Sequence, residues 1–526
     1  VKIALKRGSL AQQGRNNAGR IESIMDLKNA LKKLNELETA SYALRHAMSV
    51  LYVDGDTVAP KNSWKGRGAS LGYLSELSYR QMVNDETGEA LSVILAHPDE
   101  VTPMQFRQAE VLKEEYDDMH VVPMNEFVEY QKLVNEANAV WHEAKEKSDF
   151  PLFAPLLEKL IAFQFRFAEL KGKGQKKTYD VLLDSYEKGA CMADLDPFFN
   201  SIQKDLTPLI LEIAKKPPIG MDFARFTWPI EQQRRFSERI MAMEGLNPDN
   251  CTLGETEHPF TDGVNKWDVR ITTHYHEENA LESMFSVIHE GGHALYELGV
   301  ADELQFTSLG MGSTMGIHES QSRFFENLIC RSRAFCKPLL RVMREIFPEQ
   351  MAGVSEEELY AGVNRSHPSL IRTQADELTY PLHVMIRYEI EKAIFEGILK
   401  VNELPGVWND LYHKYLGVTV PDDRRGILQD SHWSGGSFGY FPSYALGSAY
   451  GVQMLRRMEG DLDVWGIVAT GDLRPINAWL DEKVHRFGKL KKPADILLNA
   501  MGGPLDPSVY THYLQEKYSD LYGISL

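Results

Sequence analysis

His289-Glu290-Gly291-Gly292-His293 places two imidazoles four residues apart with a carboxylate between them. On a helix, residues at i and i+4 lie one above the other on the same face, so both rings can reach one metal ion. Glu290 adjoins that point and can take a proton from a metal-held water, as zinc-dependent hydrolysis of a peptide bond requires. The sequence supplies the helix. Leu281, Met284, Phe285, Ile288, Leu295 and Leu298 recur at helical spacing, and Gly299 stands where a C-cap would be. Two glycines inside the motif cost a helix about 1 kcal/mol each relative to alanine. Close approach of substrate or of groups on the metal is the expected compensation.

A catalytic zinc takes three protein ligands and leaves a fourth position to water. The metzincin pattern would need a glycine at 296 and a histidine at 299, where this chain has Tyr296 and Gly299. A glutamate from a following helix is the remaining common solution, and the candidates are Glu297, Glu303, Glu319 and Glu326. Glu297 is one turn beyond His293, and three ligands on one straight helix do not easily close a tetrahedron. Glu319 opens a second apolar-periodic segment through Phe324, Phe325, Leu328 and Ile329. The Gly/Ser/Thr-rich loop from Thr307 to Thr314 lets that segment return alongside the first. The expected ligands are therefore His289, His293 and Glu319. Zinc is the expected ion, and cobalt is a plausible substitute in a His₂Glu set.

Further motifs stand around this pair of segments. His318-Glu319-Ser320-Gln321 begins 29 positions after His289. His258-Pro259-Phe260, Asp268-Val269-Arg270-Ile271-Thr272, Ile371-Arg372-Thr373-Gln374-Ala375-Asp376 and Gly426 through Trp433 read as HPF, DxRxT, IRxxAD and GxxQDxHW. Taken in chain order from 258 to 433, with HExxH between DxRxT and His318-Glu319-Ser320-Gln321, the set resembles the carboxypeptidase Taq family of zinc metallocarboxypeptidases. The resemblance implies an exopeptidase that removes single residues from a free C-terminus with broad specificity, and a homodimer. It also implies a mostly α, two-lobed body with a deep groove and a very small β element, similar to neurolysin. The metal motif alone does not decide exo- against endo-cleavage.

The same likeness suggests roles for other residues. Similar helical zinc peptidases place a histidine and, some ten residues on, a tyrosine over the substrate carbonyl. His432 with Tyr440 or Tyr444 fits that role. A terminal carboxylate calls for an arginine fork. Arg372 is the first candidate and Arg270 the second, although Asp376 or Asp268 could instead hold either in an ion pair. His258 would line the groove or support it. His318 would face away from Glu319 and act behind the ligands.

The rest of the chain is compatible. A net charge of −18 disfavours nucleic acid and anionic membranes as partners, and no apolar run approaches the ~18 residues of a membrane span. Cys191, Cys251, Cys330 and Cys336 show no metal or redox spacing and suggest a reducing, cytoplasmic setting. Residues 1–24 are basic and rich in Gln, Asn, Gly and Ser, and are expected to be an extension or a disordered tail. Residues 25–526 are expected to form one catalytic domain with two lobes. Helical spacing marks 127–147, 155–170, 195–214 and 231–243, whereas Trp267 to Tyr275 alternates like a strand. Two other functions fit the same site: a zinc endopeptidase or oligopeptidase, and an inert, metal-stabilised helical binding protein. Glu290 argues against the second, because a structural metal needs no general base.

Overall fold

Helical periodicity runs through nearly all of the chain, and twenty α-helices form among the described residues. The structure is a computed structural model that describes residues 25–525. The tail expected at 1–24 lies outside the described residues. Where the spacing predicted helices, they run Met124–Lys147, Phe150–Gly172, Met192–Ile213 and Ile230–Glu244. Leu27–Thr57 begins where the Asp26 carboxylate accepts the backbone N–H of Asn29 at 2.8 Å, an N-cap.

Apolar residues collect in two main clusters. The smaller joins Leu34, Leu37, Leu91, Ile94, Ala109 and Leu112 from helices Leu27–Thr57, Asp85–Leu95 and Pro103–His120. The larger extends from Ala137 to Tyr522 and encloses the helix of the HExxH motif. Between them opens a cavity of about 1310 Å³, walled by Glu110 and Glu114 on one side and by Tyr186, Thr314 and Lys489 on the other. The fold is mostly α with one very small sheet, as expected from the resemblance.

The β element is one sheet of three strands in the order β1-β3-β2, with β1 at Cys251–Glu255, β2 at Thr261–Asn265 and β3 at Asp268–Thr273. The predicted strand is β3. It is central because β1 pairs with it parallel and β2 antiparallel, and its Val269 and Ile271 are fully buried on one face.

Three helices converge on the motif. The motif helix, Ala280–Gly299, packs against Met315–Arg323, which carries Glu319 and continues as a π-helical turn through Phe324–Ile329. Pro442–Asp461 crosses the far side of Met315–Arg323. Glycine makes both contacts possible. A Cβ on Gly292 would lie 2.6 Å from the Gln321 carbonyl oxygen, and one on Gly447 would lie 2.7 Å from the Glu319 Cβ. A Cβ on Gly291 would meet the buried Glu244 carboxylate at 2.5 Å. The motif glycines therefore admit neighbouring protein, where substrate or groups on the metal were expected.

A substitution follows from this packing. Gly292→Ala forces helix backbones apart and is expected to cost about 1–3 kcal/mol. Gly460→Ala, at an exposed helical position with nothing within 4 Å, is expected to be neutral or stabilising by up to about 1 kcal/mol. Denaturant unfolding of the two variants compares them, and equal midpoints would contradict the packing argument.

Candidate active site

The three ligand candidates meet at one point. Glu319 Oε2 lies 3.7 Å from His289 Nε2 and 3.5 Å from His293 Nε2, and the ligand atoms all fall within 4.8 Å of one another. Bonds of about 2.0–2.1 Å at tetrahedral angles would separate neighbouring donors by about 3.4 Å. The donor set therefore fits one divalent ion.

Each ring is held so that its Nε2 faces this point. His289 Nδ1 donates to Glu326 Oε2 at 2.9 Å. His293 Nδ1 contacts His318 Nδ1 at 2.7 Å, and His318 Nε2 contacts Glu297 Oε1 at 2.7 Å. Because Glu297 can only accept, a neutral His318 carries its proton on Nε2 and accepts at Nδ1. His293 Nδ1–H then donates, which leaves its Nε2 bare for a metal. The other oxygen of Glu319 accepts Arg323 Nε at 2.7 Å, and Arg323 also reaches Glu326 at 3.1 Å.

Charge and burial compete here. Burial pushes the Glu319 carboxyl up, but Arg323 and the two histidines reverse this and hold it well below the usual range. Burial pulls His293 down to about 4 despite Glu319. Glu290 is buried beside the ligands, and burial raises it against the opposing pull of His289 and Thr261. Its Oε2 accepts the Thr261 hydroxyl at 2.6 Å, so the edge strand β2 orients it.

A second cluster faces the first. His432 Nε2 lies 3.2 Å from the Tyr444 hydroxyl. The Tyr440 ring centre is 5.4 Å from that of His432 and 5.2 Å from that of Tyr444. The Arg372 guanidinium lies 4.9 Å over the Tyr444 ring and donates to the Tyr380 hydroxyl at 2.9 Å. Tyr380 joins the clusters, since Arg323 lies 4.3 Å over its ring. Burial and then the Glu319 charge push Tyr440 up to about 12, so its hydroxyl stays protonated at neutral pH. Burial, followed by the nearby Arg372, pulls His432 down to about 4.

The arginine candidates separate. Arg372 is 5% exposed, and its Nε and Nη2 donate to Asp430 Oδ1 at 3.1 and 3.0 Å. The partner is thus Asp430 and not Asp376, whose carboxylate accepts backbone N–H groups of His367, Leu378 and Thr379. Arg387 shares Asp430 at 2.8 Å. Arg270 forks onto Asp268 at 2.8 Å through Nε and through Nη2, an ion pair on β3. His258 is exposed on the connection from β1 to β2. Neither Arg270 nor His258 hydrogen-bonds to the two clusters among the described residues.

Thr261, Arg323, Tyr380 and Glu187 also join the site, although none stood among the candidates read from the sequence. Arg323 was accessible, because it stands four residues after Glu319 on a helix, where opposite charges meet. Glu187 lies far away in sequence, yet its buried carboxylate accepts the Gly316 N–H at the start of the Glu319 helix. Its pKa rises to about 7 through burial.

This arrangement has counterparts. Residues 33–518 match the family model described as carboxypeptidase Taq (M32) metallopeptidase. Carboxypeptidase 1 of Bacillus subtilis is 42% identical over 480 residues, covering 90% of this chain and 95% of the relative. Thermostable carboxypeptidase 1 of Thermus thermophilus is 34% identical over 92% of this chain and 97% of its own length. The crystal structure of an M32 carboxypeptidase from Deinococcus radiodurans superposes with a TM-score of 0.91 at 32% identity, covering 94% of this chain and 100% of that one. Metallocarboxypeptidase 1 of Trypanosoma cruzi gives 0.89 at 31% identity, with the same coverage. The chain belongs to the M32 carboxypeptidase Taq family of metallopeptidases, and it is a peptide hydrolase dependent on a divalent metal.

Proposed function

We propose that this enzyme is a zinc carboxypeptidase that releases single residues from peptides of varied sequence, with Arg372 holding the terminal carboxylate. The observation that carries this reading is the pairing of two walls. The ligand atoms of His289, His293 and Glu319 converge beside Glu290, and Tyr380 ties that wall to Arg372 and Tyr444. A homodimer, a cytoplasmic location and a single catalytic unit over residues 25–526 belong to the same proposal.

A divalent ion held by the three ligands supplies Lewis acidity, polarising a carbonyl and acidifying a water molecule from about 15.7 towards ~7. Glu290, turned towards that point by Thr261, accepts the proton as the water oxygen bonds to the scissile carbon. It returns the proton to the leaving nitrogen as the C–N bond breaks. With His432 Nε2–H donating to the Tyr444 oxygen, the Tyr444 O–H is free to donate to the oxygen on which charge develops. Tyr440 stands beside it as a second donor. Arg372 keeps N–H groups on Nη1 and Nη2 beyond those used by Asp430 and Tyr380, enough to fork a carboxylate. Arg270 and His258 serve the sheet and the groove wall in this account.

Glu326 is predicted to tune metal affinity by fixing His289. Glu326→Gln should weaken metal binding by about 10–100-fold, read by competition with a chromophoric chelator. An unchanged affinity would contradict that role.

The test of the function uses one peptide as the free acid and as the C-terminal amide, with the products weighed. Stepwise loss of single C-terminal residues from the acid alone is expected. Internal cleavage of both forms would replace the exopeptidase with an endopeptidase.

A further inference from the structure

The loop between His432 and Tyr440 is clamped from beneath by one carboxylate. Glu391, fully buried on helix Tyr380–Phe395, accepts the Trp433 indole N–H on Oε1 at 2.7 Å. Its Oε2 accepts the Gly439 backbone N–H at 2.8 Å and the Tyr179 hydroxyl at 2.9 Å. The two loop anchors are the immediate neighbours of His432 and Tyr440. Gly439 has φ +88°, and a Cβ there would sit 2.7 Å from the Leu182 carbonyl carbon, so the backbone is pressed against the helix behind it.

Chemistry restricts what can do this. Burial pushes the Glu391 carboxyl up to about 7 while the Trp433, Gly439 and Tyr179 donors oppose it; in either form each oxygen can accept, and both the indole and the backbone amide can only donate. A glutamine of the same shape would turn an N–H against one of them. Arg387, one turn earlier on the same helix face, holds Asp430 at 2.8 Å. The helix thus grips the segment at 430, 433 and 439, while the intervening turn is closed by Ser437 N–H donating to the His432 carbonyl at 2.8 Å.

We propose that Glu391 is a positioning residue whose carboxylate sets the separation of His432 from Tyr440 by fixing the loop at Trp433 and Gly439. This rests on the role assigned above to His432 and Tyr440. Glu391 touches neither substrate nor metal ligands, so its effect should fall on the chemical step and leave metal binding alone.

The experiment compares metal-loaded wild type with Glu391→Gln, Trp433→Phe and the double variant, recording kcat, KM, bound metal and amide exchange. For Glu391→Gln, kcat should fall by about 10–100-fold, the scale of a misplaced reacting group. KM and metal content should hold, with exchange faster in 432–441 but not in 284–299. The double variant should regain activity relative to Glu391→Gln, because the glutamine N–H no longer faces an indole N–H. If Glu391→Gln does not fold, Tyr179→Phe removes one of the three donors and should lower kcat a few-fold with the same exchange signature. Unchanged kcat and exchange, or losses that simply multiply in the double variant, would overturn the proposal. Tyr440→Phe and His432→Ala separate it from the reading it rests on. If both keep full kcat, that reading fails, while the exchange of 432–441 still decides whether Glu391 anchors the loop.

Discussion

Glu290→Gln is expected to lower kcat by about 10²–10⁴-fold while the protein remains folded and metal-loaded. The substitution preserves shape, and an amide oxygen can still accept the Thr261 hydroxyl that now lies 2.6 Å from Oε2. It removes only the capacity to take up a proton and release it. None of the hydrogen bonds that orient His289, His293 and Glu319 involves Glu290, so metal content should not change. The amide has the same shape and keeps the Thr261 contact, so the thermal midpoint of the metal-loaded protein should hold. Metal per chain, thermal midpoint and single-turnover rate check the three statements together. A residual rate within tenfold of wild type would show that another group moves the proton.

The second large effect is expected at Arg372. A hydrogen bond to a charged group contributes about 1.5–3 kcal/mol, so losing a two-pronged grip on a carboxylate costs about 3–6 kcal/mol. That corresponds to roughly 10²–10⁴ in kcat/KM. Arg372→Gln should show this loss on a free-acid peptide and little change on the corresponding amide. Breaking a buried pair by removing one partner ordinarily costs about 3–5 kcal/mol. Here Asp430 keeps Arg387, whose Nη2 lies 2.6 Å from Oδ2, so the variant should fold with a smaller penalty. If the variant still prefers the acid to the amide, another residue recognises the terminus.

The sequence showed the metal wall more clearly than the opposite one. The HExxH helix and the Glu319 helix carry strong periodicity, and their spacing directs both inward. Local rules reach that far. The partner of Arg372 could not be found locally, because Asp430 is 58 positions away while Asp376 is four positions off and satisfied by backbone N–H groups. The motif glycines were misjudged for a related reason. A sequence reports that a Cβ is missing but not what occupies its space, here the Gln321 and Ser322 backbone. Among the strands only β3 alternates convincingly. The polar residues and glycines of β1 and β2 hide their pairing, and with it the position of Thr261 beside Glu290. Arg270 lay in a motif as prominent as that of Arg372, yet its fork is spent on Asp268 two residues away.

The most direct test of the account is a metal titration of chelator-stripped enzyme, following bound zinc and release of the C-terminal residue from a free-acid peptide in the same samples. No release is expected without metal, and release should rise linearly with added zinc and stop at one ion per chain. Glu319→Ala should show neither tight binding nor recovery. Release by the metal-free protein at the wild-type rate, or full recovery in Glu319→Ala, would contradict it.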